Sequence, residues 1–142
     1  MANDVLQVVS ALKDYINDME GLPCAVELEM LGEPPSMMLQ QLSGAARYWE
    51  DIIGNYEARF PFAVYIRIFG TTETDRIDAV TILNDLGTTF DEATQSGTLP
   101  DLGDGKTITS ITMTNFPSLI ARAEDGTEDY QAIYRLEYKQ NY

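Results

Sequence analysis

The chain has 142 residues, 44% of them hydrophobic and 23% charged, and 23 acidic against 9 basic side chains leave a net charge of −14. Length and balance predict one globular domain with its own core and argue against wholesale disorder. The acid excess argues against non-specific binding of nucleic acid and against docking to an anionic membrane, because both draw on Lys and Arg; it reads first as solubility, and second as a surface past which nucleic acid moves without sticking.

The lone cysteine, Cys24, excludes an intrachain disulfide and a multi-cysteine zinc site, and its apolar surroundings predict a buried, inert thiol. No histidine occurs, which removes the commonest general acid–base group and soft-metal ligand. No apolar run approaches the roughly 20 residues of a membrane span. The N-terminus lacks the basic-then-apolar pattern of a signal peptide, so a reducing cytoplasm is the expected compartment.

In chain order, residues 4–19 carry Val5, Val8 or Val9, Leu12, Ile16 and Met19 at helical spacing, with Asn3 or Asp4 as cap and Gly21, Leu22 and Pro23 as the stop. Residues 24–30 alternate as a strand, with Cys24, Val26, Leu28 and Met30 inward and Glu27 and Glu29 outward. Gly32, Glu33, Pro34 and Pro35 then break regular structure, and residues 37–42 are a candidate short strand. Residues 45–53 fit either a helical stripe through Tyr48, Trp49, Ile52 and Ile53 or a strand. The strand is preferred, because Gly54 and Asn55 can turn it back onto residues 56–69 as a hairpin.

Residues 60–69 form the predicted central strand. Phe60, Phe62, Val64, Ile66 and Ile68 fall on one face, and Pro61, Ala63, Tyr65, Arg67 and Phe69 on the other. A second helix is expected over residues 73–95, capped by Thr72 or Thr74, with Ile77, Val80, Leu83, Leu86 or Gly87, and Phe90 on its buried face. Gly87, Thr88 and Thr89 are poor helix formers that could weaken its last turns.

Residues 96–106 read as a polar connector. Asp101 and Asp104 resemble a calcium loop only loosely, because the acidic residue at the twelfth position is missing, and a plain turn is the preferred reading. Asp125 and Gly126, between the apolar run 119–123 and a strand over 130–138, signal a hairpin. In that last strand Tyr130, Ala132, Tyr134, Leu136 and Tyr138 share one face, read as a half-buried edge face in preference to a ligand platform.

The order helix, strands, helix, strands predicts an α+β domain over residues 1–142, with a mixed, mostly antiparallel sheet and two helices packed on one face. The other face would carry Tyr65 and Phe69 with some of Met37, Met38, Trp49 and Ile133. That is more apolar surface than a monomer usually leaves in water, so self-association is inferred. Acid pairs such as Glu27 with Glu29, Glu50 with Asp51 and Glu124 with Asp125 show no unequal environments of the kind two-carboxylate catalysis needs. A glycine-rich phosphate loop, a nucleophile elbow and a dinucleotide fingerprint are all absent from the sequence. No enzymatic activity, cofactor or metal is expected.

SMMLQQLSG, then ARYWEDIIGNY running into FPFAVYIRIF, then IDAVTILNDLGTTF, then ITSITMTNFPSLIARAEDGTEDYQAIYRLEY follow one another over nearly the whole chain. This pattern resembles the minor capsid or tail-terminator proteins of long-tailed bacteriophages, most specifically in FPFAVYIR and in the stretch from Phe116 and Pro117 through Asp125 and Gly126 to the Tyr-rich strand. The resemblance implies a mixed sheet backed by helices and a non-enzymatic virion protein assembled in the bacterial cytoplasm. Such proteins form a ring, commonly a hexamer, on the head-proximal end of the tail tube, which stops tube polymerisation and presents the head-joining surface. Implied partners are further copies of the chain, the tail tube protein and the head-completion or connector protein, with DNA passing through but not bound specifically and no membrane involved. No functional residue carries over from the resemblance.

A closed ring needs a head-to-tail contact, for which Tyr65 and Phe69 are the candidate anchors and Trp49 a further one. The polar loops 32–36 and 95–106 are candidates to order against a tube or connector. The competing readings are another neck or connector protein and an acidic DNA mimic that inhibits a nucleic-acid-binding protein, although the acids are scattered and not arrayed at phosphate-like spacing.

Overall fold

The alternation over residues 60–69 does produce the central strand of the sheet in the computed structural model, which describes residues 4–19, 21–103 and 105–141, without the side chains of residues 4–6. Along the chain the elements are α1 (Asp4–Asn17), β1 (Val26–Leu28), β2 (Ser36–Gln41), β3 (Ala46–Glu50), β4 (Tyr56–Phe69), α2 (Glu73–Ser96), β5 (Asp101–Gly103), β6 (Lys106–Arg122) and β7 (Thr127–Gln140). The strands lie in the order β1-β2-β4-β7-β6-β5, and β3 joins the edge of β4 beside β2. Among the described residues β1 and β2 run parallel and every other pairing is antiparallel, so the fold is a mixed, mostly antiparallel α+β sheet. β4 and β7 pair along their whole length, from Tyr56 opposite Gln140 to Phe69 opposite Thr127.

Both helices cover the same face. Val8, Leu12 and Ile16 of α1 and Ala79, Leu83 and Phe90 of α2 share one core with Phe60, Phe62, Val64 and Ile66 of β4 and with Tyr130, Ala132, Tyr134 and Leu136 of β7. The strand residues are those that a period of two places on one side. At the end of α1 the Asn17 side chain acts as a short piece of strand: its Oδ1 accepts from Val26 N at 2.7 Å and its Nδ2 donates to the Val26 carbonyl at 3.3 Å. Of the two threonines open as caps of α2, Thr72 is the one used. Its hydroxyl accepts from Asp75 N at 3.2 Å, and the Asp75 carboxylate accepts from Thr72 N at 3.2 Å, a reciprocal capping box. The expected caps of α1, Asn3 and the Asp4 side chain, lie outside the described residues, as does Asp104 in the 96–106 segment.

Several expectations change. Met30 was expected inward and is 66% exposed, because β1 ends at Leu28 and Glu29 takes a left-handed backbone with φ 55°. Of the four residues from which some were expected on the outer face, Met37 is instead fully buried on the core side of β2, opposite Ile66. Ile77 was placed on the buried face of α2 and is 56% exposed; Ala79 takes the inward place. The tyrosine face of β7 is no half-buried edge. β7 lies between β4 and β6, and Tyr130, Ala132, Tyr134, Leu136 and Tyr138 are all buried. The connector 96–106 contains β5, and the apolar run 119–123 is the end of a 17-residue strand, β6, that passes through Pro117 with four register irregularities.

α2 runs without a break through Gly87 to Ser96. Gly87 is buried where the helix crosses β6 and β7, and a Cβ there would come within 2.5 Å of the Met113 methyl and 3.6 Å of the Tyr134 ring. The helix reaches the sheet this closely because no side chain intervenes. Gly87→Ala is expected to change stability by less than about 1 kcal/mol, since the gain in helix propensity offsets displacement of a flexible methyl end. Gly87→Leu is expected to cost about 1–3 kcal/mol by overpacking. Urea unfolding of the two variants checks this ordering.

Candidate assembly surfaces

The outer face of the sheet is a polar lattice with apolar insertions. Across its middle the Tyr65 hydroxyl donates to Gln40 Oε1 at 2.7 Å and accepts from Gln131 Nε2 at 2.7 Å, which ties β2, β4 and β7 together. Toward one end Arg67 makes a bidentate pair with Asp129, at 2.7 and 2.9 Å. Toward the other, Glu137 lies 3.4 Å from the guanidinium nitrogens of both Arg59 and Arg135. Met38 and Ile133 sit half-buried among these groups. Each charged pair is neutralised within the face, so the face is less apolar than the sequence suggested.

The three residues expected to anchor self-association do not form one patch. Trp49 and Phe69 are each 48% exposed, but Trp49 lies opposite Glu57, twelve residues along β4 from Phe69. At about 3.3 Å per residue that separates them by roughly 40 Å. Tyr65 lies between them with its hydroxyl held in the glutamine row, so Tyr65→Glu would break sheet contacts as well as any contact between copies.

The large exposed apolar side chains cluster at the two edges. β3 is exposed along its length and is clamped by two cation–π contacts: the Arg47 guanidinium lies 3.7 Å from the centre of the Tyr56 ring, and that of Arg59 lies 4.4 Å from the Tyr48 ring. The turn after it is built by Asp51, whose carboxylate accepts from Ile53 N and Asn55 N at 3.0 Å each. That geometry leaves Ile52 and Ile53 in water with Tyr48 and Trp49. The pattern that could be read as a helical stripe is thus an exposed hairpin.

At the other edge, β5 pairs with β6 only at Lys106 and Thr107. The rest of β6 carries Phe116 at 83% exposure, with Leu119 and Ile120 also exposed. Leu119 stands opposite Tyr130, which lines an open depression with Ile77 and Val80 of α2.

Beside that depression lies a buried carboxylate that sequence reading missed. Glu128 follows the Asp125–Gly126 turn, and its side chain is 2% exposed. It accepts from Arg122 Nε at 2.6 Å, from Arg76 Nε at 3.0 Å and from the Tyr130 hydroxyl at 3.0 Å. It packs over Gly70, where any Cβ would collide with it. Burial alone would raise its pKa, but the hydrogen bonds from Arg122, Arg76 and Tyr130 outweigh this and hold it below the usual glutamate value. A carboxylate kept ionised by two guanidinium groups is a poor proton acceptor near neutrality. It acts as a clamp that joins the first turn of α2 to the β6–β7 hairpin.

Among the described residues no group of three His, Cys, Asp or Glu side chains is placed to hold a metal, and no helix is long and apolar enough to cross a membrane. Cys24 is half-buried, and its thiol is pushed up by burial. No protein-family model and no curated protein sequence matches the chain.

Proposed function

We propose that the protein is a structural subunit of a long-tailed phage virion, a ring protein at the head-proximal end of the tail tube that ends tube polymerisation and provides the head-joining surface. One observation carries the reading. A chain of net charge −14 leaves large apolar side chains in water at both edges of its sheet. Such surface suits a subunit that is covered on assembly better than a free monomer. The mixed sheet backed by two helices agrees with the fold that the resemblance in FPFAVYIR and in the Phe116-to-Tyr138 stretch implies. An acidic ring also suits a conduit for DNA, because like charge keeps a passing duplex from adhering. Another neck protein would share these features and differ in where it sits. The function is non-enzymatic, and it needs no cofactor.

The test is to add the purified protein to tail tube protein as it polymerises and to measure tube lengths and the position of gold-labelled protein by electron microscopy. Shortened tubes with label at one end are expected. Tubes of unchanged length with label at neither end would rule the role out.

A further inference from the structure

One flank of α2 borders a groove that the core leaves unfilled. Its larger hollow, of about 280 Å³, lies between the first half of the helix and the end of β4. Fully buried Ile66 and Ala79 line it, Phe69 stands 48% exposed beside it, and Pro23 and Pro35 border it. A smaller hollow, of about 100 Å³, continues along the helix to Leu86, and Ile82 lines both. The charges around the groove are of one sign. Asp75 and Asp78 line the larger hollow and Asp85 the smaller, and none of the nine basic residues lines either. The helix dipole favours acids in the first turn, which accounts for the capping Asp75 but not for Asp78 or Asp85. Neither of these two carboxylates has a hydrogen bond or an ion pair among the described residues.

We propose that this groove binds a basic amphipathic helix of a partner protein. The helix sets two apolar side chains into the hollows and brings Lys or Arg against Asp78 and Asp85. Charge selects the partner: a basic segment relieves the repulsion among these acids, whereas a second copy, at net −14, brings mostly more of it. The walls select the mode. They are side chains of α2 and β4 with two prolines, which present no open ladder of backbone donors, so an added strand gains nothing there. Spacing agrees, because Ala79 and Leu86 lie about 10 Å apart along α2, the distance between positions i and i+7 of a partner helix. The larger hollow falls just below the roughly 300–1,000 Å³ of small-molecule sites, so it suits one large side chain better than a whole ligand. The groove needs no tail tube, and the contact is independent of the ring role.

The probe is a fluorescein-labelled helical peptide with leucine at positions i and i+7 and lysines flanking them, followed at physiological salt by anisotropy and by methyl NMR of the protein. Saturable binding is expected, with shifts confined to Ile66, Ala79, Ile82, Leu86 and their neighbours. Asp78→Lys and Asp85→Lys, both at exposed positions, should each weaken binding by about fivefold or more. Asp91→Lys, exposed on another flank of α2, should weaken it by at most about twofold. The apolar anchors are tested from the peptide side, so the fold is not at risk: glutamine in place of both leucines should abolish measurable binding. Absence of saturable binding overturns the proposal. An equal loss from Asp91→Lys and Asp78→Lys also overturns it, since the peptide would then answer to net charge alone. An uncharged peptide with the same leucines that binds as tightly would show that the acidic rim selects nothing. Groove shifts that follow protein concentration without any peptide would assign the groove to a second copy instead.

Discussion

Replacing Phe90 with alanine is expected to lower the unfolding free energy by about 3–5 kcal/mol, the largest single-residue effect predicted for this protein. Phe90 is fully buried, and its ring meets three others: Tyr134 at 5.4 Å and Phe62 at 6.0 Å, both edge-on, and Tyr15 stacked at 6.2 Å. It is therefore the point where α2 touches α1, β4 and β7 together. Removing the ring loses its burial and the edge-on pairs, and leaves a cavity walled by strands that are paired on both sides and cannot collapse inward. For a domain stabilised by about 5–15 kcal/mol in all, the melting temperature should fall by roughly 10 °C. Phe90→Leu, which keeps most of the volume, should cost less than half as much. Urea titration with an unchanged slope checks both variants. A loss below about 1 kcal/mol for Phe90→Ala would mean that this aromatic cluster does not hold α2 on the sheet.

Glu128→Ala is expected to cost about 2–4 kcal/mol, somewhat under the usual loss for breaking a buried ion pair. The reason lies in its partners. The Arg76 and Arg122 side chains are 44% and 57% exposed, so water can reclaim both when the carboxylate goes, whereas the Tyr130 hydroxyl beneath them is buried. The same site predicts a pH dependence. The Glu128 pKa is depressed in the folded chain, so its stabilisation is fully present above the unfolded value of about 4.3 and is lost as pH falls through the lower folded value. Asp75 and Asp125, also held low by hydrogen bonds from threonine, contribute to the same acid-side loss. Glu128→Gln isolates the single group: the stability gap between wild type and this variant should shrink as pH drops from 5 to roughly 3. A gap that stays constant over that range would show that the carboxylate carries no favourable charge interaction in the folded state.

The sequence by itself determined what depends on near neighbours. The alternation of β4, a threonine cap for α2 at Thr72 or Thr74, and the hairpins at Gly54 and Asn55 and at Asp125 and Gly126 are written in residues a few positions apart, where backbone geometry and hydrogen bonding act directly. Only the tertiary structure decided which surfaces are covered. Met37 turned to the core, Ile77 faced water and the tyrosines of β7 became the interior, because burial depends on the element that arrives from elsewhere in the chain. Tyr65 and Gln131, joined through the hydroxyl of one and the amide of the other, are 66 residues apart. Pairings of that span set the strand order, and the strand order left β3 and β6 as opposite open edges. No local period of side chains encodes which strand will be last in a sheet, since that is settled by long-range pairing once the chain closes on its core.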